Sequence, residues 1–86
     1  MLKVKRFTAV WCGPCRKLAP AFIQLETEFP GVTFETIDVD HSPDEVQKYM
    51  VTSVPTVVIE KNDETIQRYV GLNPKTAYSN TIKSLI

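Results

Sequence analysis

The sequence predicts an α/β fold with the element order β-α-β-α-β-β-α, and three observations carry that expectation. Short β-prone runs alternate with runs of helical spacing from the first residues onward. Toward the C-terminus two β-prone runs flank the polar stretch Lys61-Asn62-Asp63-Glu64, which reads as a hairpin connection. Both cysteines of the chain, Cys12 and Cys15, lie at the junction between the first strand and the first helix.

The elements follow in order. Residues 4–10 are apolar or β-favouring apart from Lys5 and Arg6 and form the first strand. Gly13 permits a tight turn, and Pro14 suits the first turn of a helix, where a missing N–H costs nothing. The helix is expected over 14–29, with Leu18, Phe22, Leu25 and Phe29 inward and Arg16, Lys17, Gln24, Glu26 and Glu28 outward. Pro20 cannot donate to the carbonyl of Arg16 and predicts a kink there. Pro30-Gly31 turns the chain into a second strand over 32–39, parallel to the first through a right-handed crossover.

Asp38, Asp40 and His41 end that strand and read as solvated loop residues. Ser42-Pro43-Asp44-Glu45 has the pattern of a capped helix start, and Val46, Tyr49 and Met50 supply the short helix with an apolar side. Residues 52–59 hold the third strand, entered through Val54-Pro55-Thr56, since a proline is admissible where no ladder donor is needed. The last strand spans 65–70, with Ile66 and Tyr69 or Val70 turned inward, and Gly71 ends it. Asn73-Pro74 opens the final helix, whose buried side is drawn from Ala77 or Tyr78, Thr81 or Ile82, and Leu85.

Bulk properties narrow the function classes. The 86 residues are read as one domain, 1–86, and a hydrophobic content of 43% suffices for a compact core. Ten basic and ten acidic residues cancel, so no strong field draws the chain to nucleic acid or to a membrane. Met1-Leu2-Lys3-Val4-Lys5-Arg6 interleaves cations with apolar residues and lacks the apolar run of a signal peptide, which makes a cytoplasmic location the expectation.

The chemistry is concentrated in Trp11-Cys12-Gly13-Pro14-Cys15. A cysteine at a helix N-terminus faces unpaired N–H groups and the positive end of the helix dipole, both of which favour thiolate over thiol. A fall in pKa from about 8.5 to near 7 raises the reactive fraction at neutral pH from a few per cent to roughly half. Cys15, one turn on, can attack a mixed disulfide formed on Cys12, so the pair carries two electrons without a cofactor. A zinc site needs further ligands, and the chain has no third cysteine and a single histidine, His41. A purely structural disulfide across so short a loop gains little from loop closure.

The motif Trp-Cys-Gly-Pro-Cys in this setting resembles the active site of the thioredoxin family, and the resemblance extends over nearly the whole chain. It implies the minimal thioredoxin fold: a four-stranded mixed sheet with one helix on one face and two on the other. The extra N-terminal strand and helix of full thioredoxins are absent from this pattern, which is similar in that respect to the short, glutaredoxin-like thioredoxins of microbes and their phages. The resemblance makes Pro55 a cis proline beside the cysteines, turns the backbone of Val54 toward Cys12, and places Gly71 at the active-site surface, where it keeps a substrate groove open.

The function implied by the resemblance is reduction of protein disulfides, with Cys12 as nucleophile and Cys15 as resolving thiol. An extended substrate would dock across Trp11, Pro55 and Gly71. Electrons would come from NADPH through a flavoprotein thioredoxin reductase, with no cofactor or metal bound by this chain, which is expected to be a monomer. Two other readings stay open on the sequence: a glutathione-dependent, glutaredoxin-like enzyme, against which Gly-Pro stands in place of Pro-Tyr, and a partner-binding module that uses the scaffold without its cysteine chemistry.

Two linked positions depart from the family. Typical thioredoxins carry a buried aspartate six residues before the first cysteine, where this chain has Arg6, and the lysine that partners that aspartate is replaced by Thr36. An arginine cannot serve as a general base. The expectation is that Arg6 faces solvent and that water, or Cys12 leaving as thiolate, manages the proton of Cys15.

Overall fold

In a computed structural model describing residues 1–86, the side chains of β1 (Leu2–Thr8) alternate between two cores. Leu2 and Val4 enter one, and Phe7 enters the other. The remaining elements are α1 (Gly13–Glu28), β2 (Thr33–Asp38), α2 (Pro43–Lys48), β3 (Thr56–Lys61), β4 (Glu64–Val70) and α3 (Lys75–Leu85). This is the element order expected from the sequence, with boundaries shifted by a few residues. The helix α1 is unbroken through Pro20.

The strands form one mixed sheet in the order β2-β1-β3-β4. β1 runs parallel to β2 and antiparallel to β3, and β3 pairs antiparallel with β4. The β1-α1-β2 unit is therefore the parallel crossover that the sequence predicts. Asn62 and Asp63 take positive φ values of 53° and 68° between β3 and β4, the backbone of a two-residue hairpin whose twist matches that of its strands.

The larger core joins Leu18, Phe22 and Leu25 of α1, Tyr78 and Ile82 of α3, and Val4, Val57 and Ile59 of the sheet. Tyr78 sits at its centre, with ring centroids 5.1 Å from Phe22 and 4.8 Å from Tyr69. Burial of each such side chain is worth about 1.5–3 kcal/mol, and this layer holds α1, with its cysteines, against β1. On the opposite face Phe7, Ile37 and Val58 pack with Tyr49 and Val54 beneath α2.

That second face also buries charge. Lys5, only 6% exposed, places its Nζ 3.0 Å from a Glu45 carboxylate oxygen and 4.7 Å from the Tyr49 ring centroid. The Tyr49 hydroxyl in turn donates to Glu60 at 2.6 Å. Burial opposes the Lys5 charge, but hydrogen bonding to Tyr49 and Glu45 outweighs it and raises the lysine above its ordinary range. Tyr49 is likewise pushed up, by burial and then by its bond to the Glu60 carboxylate.

Four local expectations are corrected. Ser42 stands at the N-cap of α2 but its side chain makes no capping bond, and Glu45, expected to complete the cap, is drawn to Lys5 instead. Met50 lies beyond α2 with φ 51° and is 76% exposed. Ile66 is 42% exposed because the β3–β4 register slips beside it: Glu60 faces Thr65 while Ile59 faces Gln67. A bulged residue of this kind is lifted out of the strand's alternation. At the last helix Pro74, not Asn73, occupies the N-cap, and the Asn73 amide donates to the Gly71 carbonyl.

Candidate active site

The carboxyl end of β1 delivers the chain to the N-terminus of α1, and the cysteines fall on that junction. Cys12 is the N-cap residue, in extended conformation (φ −94°, ψ 111°), and its Sγ accepts the backbone N–H of Cys15 at 3.2 Å. Gly13 and Pro14 form the start of the first helical turn, and Cys15 lies inside it, 1% exposed. The two sulfurs are joined as a disulfide, with Cα atoms 5.3 Å apart. The N–H bond to Cys12 Sγ and the helix dipole are both in place to stabilise a thiolate there once the disulfide opens.

Val54, Pro55 and Gly71 lie at this end of the sheet with the cysteine turn. Cys12 and Cys15 form a small buried cluster with Ala9, against which Val54 packs. The Val54-Pro55 peptide is cis. The Pro55 carbonyl accepts the N–H of Gly71 at 2.9 Å, which ties the end of β4 to the proline. Gly71 adopts φ 85°, a left-handed conformation that costs a residue with a Cβ. Around the cysteines Val10, Trp11, Val70 and Leu72 are exposed, Trp11 by 63%.

Four contacts here go beyond the sequence reading. The Trp11 indole donates to an Asp40 carboxylate oxygen at 2.8 Å, so Asp40 is an anchor for the tryptophan and not a free loop residue. Asp38, also expected to be solvated, accepts the N–H of Asp40 and pairs with His41 Nδ1 at 3.2 Å. Arg16 reaches back from α1 to donate to the Val10 carbonyl at 2.7 Å. The signal for Asp40 is weak in a lone chain, because an acid at a strand end is more often simply hydrated.

Arg6 is the main correction. It is only partly open to solvent: its guanidinium lies 5.3 Å from the Phe22 ring centroid and donates to Thr36 Oγ1 at 3.2 Å, and its Nε is buried. Burial pushes its pKa below the ordinary value, opposed by the charge of Glu26. In β1 it alternates with Val4 onto the face that α1 covers, and nearest the cysteines that face leaves a groove shared with Cys15. No three His, Cys, Asp or Glu side chains come together as a metal-ligand set.

Comparison with known proteins decides the family. The sequence profile described as Thioredoxin matches residues 2–84. This chain belongs to the thioredoxin family. The thioredoxin-family chain is 43% identical over 70 residues to Thioredoxin H5 of Oryza sativa, a match spanning 81% of this chain and 52% of that protein. It is 42% identical over 79 residues to the mitochondrial Thioredoxin-3 of Saccharomyces cerevisiae, spanning 92% of this chain and 61% of the yeast protein. Among the curated relatives, it therefore matches about half to three fifths of the length of these two.

Solved thioredoxins superpose on nearly all of it. The oxidised form of mitochondrial thioredoxin 3 from Saccharomyces cerevisiae gives a TM-score of 0.89 at 38% identity, covering 96% of this chain and 77% of that one. A thioredoxin from Nicotiana alata gives 0.91 at 32% identity, covering 96% and 71%. The mixed four-stranded sheet with three helices is thus the thioredoxin fold.

Proposed function

We propose that this chain is a thiol–disulfide oxidoreductase that reduces disulfides in proteins. The observation that carries the reading is the Cys12–Cys15 pair: its first sulfur caps α1 and accepts an amide N–H, and its second is buried one turn inside. Around it, Trp11, Val54, Pro55 and Gly71 offer an apolar platform and backbone for an extended segment of substrate.

In the reduced protein the Cys12 thiolate attacks one sulfur of the substrate disulfide. The substrate S–S bond breaks, and its second sulfur leaves as thiolate. Cys15, as thiolate, then attacks Cys12 Sγ; the mixed disulfide breaks and the Cys12–Cys15 bond forms. Two electrons pass to the substrate, whose two released thiolates take up protons from water, which also received those lost by Cys12 and Cys15. Dithiol exchange needs no bound cofactor. The dithiol is restored by a flavoprotein thioredoxin reductase drawing on NADPH, and the protein works as a monomer in the cytoplasm, where the glutathione and thioredoxin pools keep thiols reduced.

Reduction of insulin disulfides, driven by dithiothreitol and then by NADPH with a thioredoxin reductase, tests the reading. Cys12→Ser should abolish exchange, and Cys15→Ser should accumulate a mixed disulfide on Cys12. Turnover that survives Cys12→Ser would sink the proposal; a mixed disulfide trapped on Cys15 by Cys12→Ser would reverse the two roles.

A further inference from the structure

Tyr78 is the largest side chain that the fold buries completely, and its hydroxyl has no hydrogen-bond partner. The ring is fixed between Phe22 of α1 and Tyr69 of β4, with centroids 5.1 and 4.8 Å away. Phenylalanine would serve that packing as well, since a buried hydroxyl left unpaired is costly. The neighbouring phenol shows the contrast: the Tyr69 hydroxyl is engaged by the Ala77 carbonyl and by Thr81.

Helical side chains lean toward the N-terminus, so Tyr78, near the start of α3, reaches back beneath the residues that lead into that helix. It meets Asn73 there. Burial pushes the Tyr78 hydroxyl up, and the Asn73 side-chain amide and backbone N–H, facing the phenol oxygen, oppose the shift. Neither completes a hydrogen bond with it. The same Asn73 amide donates to the Gly71 carbonyl at 3.2 Å, and the Gly71 N–H donates to the Pro55 carbonyl at 2.9 Å. A line of polar contacts therefore runs from the buried phenol to the cis proline, with one link unmade. An amide NH2 carries two hydrogens, so Asn73 can hold the Gly71 carbonyl and the phenol oxygen together. Pro74, the N-cap of α3, offers loop 71–74 no side-chain bond of its own.

We propose that Tyr78 is a positioning residue for substrate docking: when an extended segment lies along Gly71, the loop settles onto the core and the Asn73 amide closes its bond to the Tyr78 hydroxyl. The proposal rests on the reading of Pro55 and Gly71 as the docking frame for protein disulfides. The hydroxyl is unpaired in the free protein and paired in the complex, so the bond contributes to binding and not to folding. The exchange steps at Cys12 and Cys15 are untouched.

Tyr78→Phe, which removes the hydroxyl and keeps the ring, is the test. KM for insulin should rise about fivefold, the weight of one hydrogen bond, with kcat unchanged. Hydroxyethyl disulfide, too small to extend along Gly71, should be reduced at the wild-type rate, and the urea midpoint should stay level or rise. Asn73→Ala should raise KM at least as far, and adding Tyr78→Phe to it should do nothing more, because the two groups act through one bond. An unmoved insulin KM in Tyr78→Phe overturns the proposal, as does a lowered urea midpoint with both substrates slowed alike. Failure of the unmodified protein to reduce insulin would sink the functional reading and this proposal with it, whereas an unmoved KM sinks this proposal alone.

Discussion

Trp11 and Asp40 are joined across 29 residues of sequence by a 2.8 Å hydrogen bond from the indole Nε1 to the carboxylate. The bond fixes an aromatic that is 63% exposed, at the rim of the disulfide, and it links the cysteine turn to the loop after β2. Asp40→Ala should cost about 1 kcal/mol of substrate positioning, roughly a fivefold loss in kcat/KM for insulin reduction. The denaturation midpoint should barely change. An equal loss of stability and no loss of kcat/KM would assign the bond to folding alone.

Gly71 adopts φ 85° with open space where a Cβ would stand. The cost of a side chain there is conformational and not a clash. Gly71→Ala is expected to destabilise the fold by about 1–2 kcal/mol, measured by urea unfolding, and to slow turnover if the Gly71 N–H to Pro55 carbonyl bond is displaced.

Arg68 of β4 donates to the carbonyls of Tyr49 and Met50, tying the segment after α2 to the edge of the sheet. Arg68→Ala leaves both carbonyls without that donor. Amide exchange should accelerate from Met50 through Val54 by about tenfold, with the core of α1 unchanged. Uniform acceleration along the whole chain would point to global destabilisation instead.

Lys5 and Tyr49 predict an alkaline limit to stability. Both bind their protons more tightly folded than unfolded, so the stability they add is present below the unfolded values of about 10 to 10.4 and is lost as pH rises through the higher folded values. The urea midpoint should be flat from neutral pH to about pH 9.5 and then fall, by up to about 1.4 kcal/mol per pH unit for each group. In Lys5→Met the fall should be shallower.

The sequence exposes what is local. The order of elements follows from runs and breakers, the hairpin from Asn62-Asp63, and the chemistry from two cysteines at a strand–helix junction. The cis Val54-Pro55 peptide came from resemblance, since nothing in the residues themselves dictates it. Misreadings arose where a distant partner overrides local preference. Glu45 has the position of a capping glutamate, yet Lys5, 40 residues away, holds its carboxylate. Ile66 has the alternation of an inward residue, yet a slip in strand pairing turns it out. Arg6 looks like a surface cation in a short strand, and only the stacking of α1 over β1 makes Phe22 its cover.

The outer position of β2 bears on how the molecule behaves in crowded solution. One backbone edge of Thr33–Asp38 has no strand beside it, while its apolar side chains Phe34 and Ile37 are turned into the two cores. Glu35 and Asp38 are interspersed with them, Glu35 flanked by Lys3 and Lys5 at 3.9 and 3.6 Å. A second chain pairing along this edge would have to take these charged side chains and their partners out of water, so the same acids that look incidental to catalysis act as gatekeepers against edge-to-edge association.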